Sequence, residues 1–240
     1  MNILFLLNRK NTVYDEGTQF NDYKDTYNDY IQYKEQNSAM RKAKKIIKDF
    51  NGDTHKTVLF LSYKAENWNT MDNIYKKYCQ EKDIKVIVQC VPYYYKNIDG
   101  TFEKYIDGGM YPEYVTITPI EDYNYVNENP DVIVFQYPYD NYNSAGTTDP
   151  VFYSYNLASH TQKLIYIPYF RTDEIDENDM RAYTNMDAYV TMPGVVYADK
   201  VIVQSEEIRK LYIKKLTDFF GEESEDEWED KIEAEDIGGI

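Results

Sequence analysis

Asp140 sits in the loop Tyr137-Pro138-Tyr139-Asp140-Asn141-Tyr142-Asn143, directly after an apolar run. A carboxylate placed there can accept the proton of a hydroxyl or bind acceptor hydroxyls. It can equally close an Asx-turn. Asp140 is the one candidate base. Lys64 and Arg171 each follow another apolar run and carry the charge that meets phosphate. Their plainer use is ion pairing with the chain's many acids. Ser205 opens a helix, where unpaired backbone N–H groups can hold an anion; the adjacent Glu206 opposes that, and simple capping is the alternative. Tyr93, Tyr94, Tyr139 and Tyr169 offer faces that stack on a ligand or pack in a core. With Asn141, a polar neighbour of Asp140, these residues form the candidate substrate contacts.

The elements that must position them are strands followed by loops. Val58 to Leu61 is a continuous apolar run, the pattern of a strand covered on both faces. After a polar bend, Trp68, Met71, Ile74, Tyr75, Tyr78 and Cys79 recur at helical spacing. Further buried strands are read at Lys85–Val91, Asp131–Gln136, Lys163–Ile167 and Asp199–Gln204, with a short one at Tyr114–Ile117. Helices are expected at Glu121–Asn127, at Val151–Ser159, in part of Met186–Val196 with Pro193 as a boundary, and after Ser205. Strands alternating with helices predict a Rossmann-like, doubly wound α/β domain with a mostly parallel sheet. Ligands of such sheets lie beyond the strands' carboxyl ends, so Ser62, Tyr63, Lys64 and Glu66 belong to the functional edge.

Upstream, residues 8–18 read as an irregular connection. A tyrosine-rich series from Phe20 and a second series through Met40, Ala43, Ile46, Ile47 and Phe50 predict one long helix or two, with Ser38 as the N-cap of the second. Lys42, Lys44, Lys45 and Lys48 read as a solvated face. Between the second strand and Pro119 an extended excursion or small hairpin carrying Thr101–Tyr105 is expected. Glu222–Asp236 is strongly acidic and reads as a linker or frayed helix. The expected division is residues 1–52 as a helical extension, 53–220 as the Rossmann-like lobe and 221–240 as an acidic linker or the start of a second lobe.

A net charge of −16 argues against nucleic acid and anionic membranes as partners. Ile3–Leu7 is too short to span a bilayer, so no transmembrane segment is expected. The chain is expected in the cytoplasm, where it could lie peripherally at the inner face of the membrane. Cys79 and Cys90 read as buried free thiols, and two His with two Cys make a zinc site improbable. His55 and His160 both precede strands, the wrong end for a carboxyl-edge site. No cofactor is expected, and no Gly-rich phosphate loop is present.

The order of segments is familiar. LFLSYKAENWNTM (Leu59–Met71), the Val91-Pro92-Tyr93-Tyr94 turn, DVIVFQYPYDNYN (Asp131–Asn143), FYSYNL (Phe152–Leu157), LIYIPYF (Leu164–Phe170) and PGVVYADKVIVQSEEIRKLYI (Pro193–Ile213) resemble the amino-terminal half of the CDP-glycerol glycerophosphotransferase family. That family is similar to teichoic-acid polymerases and has the two-lobed GT-B architecture. The resemblance implies transfer of glycerol phosphate from CDP-glycerol to a polymer or glycolipid, in cell-wall polymer or surface-glycan synthesis. It implies an acceptor, a polyol phosphate or glycan, held by this lobe. CDP-glycerol or another nucleotide-activated donor would be bound only with a second lobe, and the chain ends where that lobe would begin. The family's Trp-His-Gly-Thr type turn is missing: after Ile167 the chain reads Pro168-Tyr169-Phe170, so no catalytic residue carries over. The alternatives are a non-catalytic α/β module binding a glycan or protein, and a GT-B glycosyltransferase using another sugar nucleotide.

Overall fold

A computed structural model describes residues 19–50, 56–105, 109–173, 175 and 179–238. The expectations for Ile3–Leu7, for 8–18, for the turn at 51–53 and for His55 lie outside them. Six strands form one sheet in the order β2-β1-β5-β7-β8-β9: β1 Lys56–Ser62, β2 Ile84–Cys90, β5 Val132–Phe135, β7 Lys163–Tyr166, β8 Lys200–Val203 and β9 Ile232–Ala234. Every neighbouring pair is parallel. The sheet is the α/β, Rossmann-like arrangement that the alternation of strands and helices predicts.

The strands are apolar on both faces because both faces are covered. Leu59 and Leu61 of β1 point into one core with Ile133, Phe135, Leu164, Tyr166, Val201 and Val203. Val58 and Phe60 point into the other with Val132, Val134, Ile165 and Ile202. Helix α2 (Asn69–Gln80) covers the second core through Trp68, Met71, Ile74 and Tyr75. The first core is closed by α1 (Gln19–Phe50), α7 (Pro193–Tyr197), α8 (Glu206–Phe220) and α9 (Glu225–Lys231). Between them in the chain lie α3 (Tyr125–Glu128), α4 (Ser154–Ser159), α5 (Met180–Asn185) and α6 (Asp187–Val190). Strands β3 (Tyr93–Lys96), β4 (Phe102–Tyr105) and β6 (Gly146–Thr148) form a separate antiparallel sheet in the order β4-β3-β6.

Several expectations change. Helix α1 is continuous, so Ser38 caps nothing. Its later turns face the body with Asn37 and Arg41, while Met40, Ile46, Ile47 and Phe50 stay exposed. The reason is polar: carbonyls at the end of α4 need donors. Arg41 Nε and Nη2 donate to Ala158 O at 3.1 and 2.9 Å, and Lys44 Nζ donates to Ser159 O at 2.7 Å. Lys48 pairs with Asp131 at 2.7 Å. Part of the supposed solvated face is thus a docking face. Cys79 is exposed, because it falls off the buried stripe of α2; Cys90 is buried. Tyr114–Ile117 makes only an isolated bridge, Ile117 to Val88.

The acidic stretch Glu222–Asp236 does not trail into solvent. It forms α9 and the edge strand β9, with Ile232 paired to Val201 and Glu233 to Ile202. Trp228 and Ile232, its two large apolar residues, are both fully buried. Their burial anchors the segment, while most of its acids face outward.

A tyrosine cluster at the carboxyl edge of the sheet

Strand β2 lies on one side of β1 and β5 on the other, so the chain reverses direction across the sheet there. The carboxyl ends of β1 and β5 are the usual ligand position in open parallel sheets. Gln136 follows β5 and has no exposed surface. Its Oε1 accepts the Tyr63 N–H at 3.1 Å, and its Nε2 donates to Asn67 O and Thr70 Oγ1, both at 2.9 Å. One buried amide therefore fixes the loop after β1 against the loop after β5.

That anchor sets Tyr63 at the centre of a ring cluster. Its ring lies 5.0 Å from Tyr93, 5.0 Å from Tyr137 and 5.2 Å from Tyr169, centroid to centroid. Tyr137 packs edge-on to Tyr139 at 5.2 Å, and the Tyr139 and Tyr169 hydroxyls meet at 3.4 Å. Tyr95 and Tyr105, both exposed, flank Tyr93 at 5.4 and 5.0 Å. The Lys64 ammonium stands 5.4 and 5.3 Å from the ring centroids of Tyr63 and Tyr93, within cation–π range. It also lies 3.6 Å from Glu66. Burial pushes the phenols of Tyr63, Tyr93, Tyr137 and Tyr139 well up, so they remain neutral hydrogen-bonding groups at physiological pH.

Lys64, Tyr93, Tyr139 and Tyr169 thus converge. Tyr94 does not, because β3 alternates and turns it away from Tyr93 and Tyr95. Asp140 follows Tyr139 but points inward. It is 1 % exposed, with φ at +48°, and its carboxylate accepts Ser154 N–H at 2.9 Å and Ser154 Oγ–H at 2.8 Å. Burial pushes its pKa up to about 7, against the lowering effect of the Ser154 bonds. The Asn141 side chain is exposed, and its carbonyl accepts from Lys96 Nζ at 2.8 Å. Arg171 donates to Gly238 O at 3.0 Å, with Asp236 at 3.8 Å. Ser205 Oγ accepts Ile208 N–H at 3.3 Å as the cap of α8. His160 lies at the opposite edge, its Nδ1 2.9 Å from Asn156 O.

Tyr137 and Gln136 were missed as site residues. Tyr137 shares the aromatic loop with Tyr139, and Gln136 is the polar residue ending an otherwise apolar strand; both signals are present in DVIVFQYPY. Gly194 holds this loop from below. Its N–H donates to Pro138 O at 2.8 Å, and a side chain there would overlap the Pro138 backbone.

A cavity of about 390 Å³ lies elsewhere, at the amino edge of the sheet between α1, α9 and the start of β8. We place the candidate site at the carboxyl edge nonetheless, because aromatic faces and a cation gather there from three separate loops and strand β3. Among the described residues no three His, Cys, Asp or Glu gather as metal ligands, and no helix is long and apolar enough to cross a membrane. No protein-family model, no curated protein and no solved structure matches the chain.

Proposed function

We propose that the carboxyl-edge cluster binds a glycan or polyol-phosphate acceptor, in a lobe of a transferase similar to the CDP-glycerol glycerophosphotransferases. The placement of Tyr63 at the carboxyl ends of β1 and β5 supports this most. It gathers rings from strand β3 and the loops after β5 and β7, with Lys64 beside its own ring and that of Tyr93. Aromatic faces suit the C–H faces of a sugar or polyol, neutral phenols suit its hydroxyls, and Lys64 suits its phosphate.

The non-catalytic binding module keeps specific support. Asp140 directs both carboxylate oxygens to Ser154, and among the described residues the histidine, His160, lies at the opposite edge of the sheet. On this second view the rings bind and nothing beside them abstracts a proton.

Thermal shift with glycerol-phosphate oligomers, CDP-glycerol, UDP-sugars and GDP-sugars tests the proposal, with Tyr63→Ala alongside. Stabilisation of the wild type by the oligomers, lost in Tyr63→Ala, is expected. No response to any polyol phosphate or glycan would overturn it. Transfer assays with CDP-glycerol then separate the two readings: product formation favours the transferase, and acceptor binding without turnover favours the module.

A further inference from the structure

The amino-edge cavity carries a charge opposite to that of the molecule. Two ion pairs on its wall cancel internally: Lys34 with Glu227, and Arg41 with Asp199 at 2.6 Å. Lys42, Lys45 and Lys231 then face one remaining carboxylate, Asp230. With Lys231 protonated the cavity is positive by two charges, in a chain whose net charge is −16.

Lys231 is the unusual member. It is 3 % exposed, and its Nζ donates to Tyr30 Oη and Val196 O, both at 2.8 Å. It lies 4.8 Å from the ring centroids of Tyr30 and Trp228. Among the described residues no carboxylate pairs with it directly. Glu227, the acid that acts on it most strongly, accepts from Tyr30 Oη at 2.8 Å and pairs with Lys34. A buried ammonium without a counter-ion is costly, and burial pulls the Lys231 pKa down to about 7. An ammonium has three N–H donors, so one is left after its two protein bonds.

We propose that this cavity binds a small phosphate-bearing molecule. Lys231 supplies the buried counter-charge, and Lys42 and Lys45 stand at the rim. The surplus of two positive charges matches a phosphate dianion. At about 390 Å³ the space holds a phosphate with a short carbon skeleton, toward the small end of ligand pockets. Its walls come from α1 and α9, so a ligand would tie the long helix to the segment that ends in the edge strand. The site is at the opposite end of the sheet from the tyrosine cluster and does not depend on it.

Titration calorimetry of the full chain with inorganic phosphate, pyrophosphate and glycerol 3-phosphate tests this. Saturable one-site binding is expected for at least one of the three. Tight binding of the inorganic ions alone would make the source free phosphate; a preference for glycerol 3-phosphate would make it a phosphomonoester. Lys42→Ala/Lys45→Ala, both exposed positions, should weaken binding by about tenfold or more through two lost charge contacts. Tyr63→Ala should leave the binding of inorganic phosphate unchanged. Above neutral pH binding should take up a proton at Lys231, seen as a dependence on buffer ionisation heat. The other charged groups facing it, Glu227, Asp199 and Lys34, are already paired. Absence of saturable binding by all three probes, equal affinity in the double variant, or equal binding of the dicarboxylate malonate would overturn the proposal.

Discussion

Replacing Asp140 by Asn isolates the cost of a buried carboxylate beneath the tyrosine cluster. Asp140 is 1 % exposed, and burial raises its pKa from 3.8 to about 7. The folded chain therefore holds this proton more tightly than the unfolded chain. The stability associated with the group is complete below 3.8, falls as pH rises toward about 7, and is level beyond. A rise of about three in pKa corresponds to about 4 kcal/mol lost across that window. Asparagine does not titrate, keeps an acceptor for one of the two Ser154 bonds, and tolerates φ at +48°. The missing bond costs about 1 kcal/mol. The variant should thus be less stable than wild type by about 1 kcal/mol near pH 4, and more stable by about 3 kcal/mol near pH 8. Urea unfolding across that pH range, followed by tryptophan fluorescence, reads the difference. A difference that stays constant with pH would refute the reasoning, because the carboxylate would then titrate alike in both states.

Three other perturbations probe the frame. Trp228→Ala should cost about 3–5 kcal/mol, because Trp228 has no exposed surface and its Nε1 donates to Ser224 Oγ at 2.8 Å; a loss under about 1 kcal/mol in chemical unfolding would deny β9 its anchor. Arg41→Met should cost about 2–3 kcal/mol and speed hydrogen exchange in α1 above the rest of the chain, since it removes the guanidinium donors to Ala158 O and leaves Asp199 with the Leu164 N–H. Uniform exchange would show that α1 docks by other means. A thiol reagent should modify Cys79 in the native chain and Cys90 only after unfolding; equal native rates would contradict their placement.

The sheet was legible because runs such as VLFL and VIVF allow no exposed face, and their spacing leaves room for crossover helices. The edge carrying Lys64, Tyr139 and Tyr169 was legible for the same reason: each follows such a run. Asp140's inward turn was not, since its partner Ser154 lies in a later helix and nothing local announces the pair. The acidic carboxyl-terminal segment misled because charge density hides two anchoring residues, Trp228 and Ile232. Helix α1 misled in the opposite sense. The Met40–Phe50 series predicted helix, and the lysines beside it a solvated face, but Arg41, Lys44 and Lys48 answer carbonyls and carboxylates at the sheet's amino edge, leaving Ile46, Ile47 and Phe50 outside. Hydrophobic periodicity registers the earlier turns, where Tyr30 is buried in the core, but cannot register later turns docked through polar groups.

The most direct test of the carboxyl-edge account is a tyrosine-ring NMR titration with a glycerol-phosphate oligomer, its signals assigned by single Tyr→Phe variants. Tyr63, Tyr93, Tyr137, Tyr139 and Tyr169 should shift together along one saturation curve, while Tyr30 and Tyr33 at the amino edge stay still. Shifts confined to Tyr30 and Tyr33, or no shift at any of these rings, would contradict it.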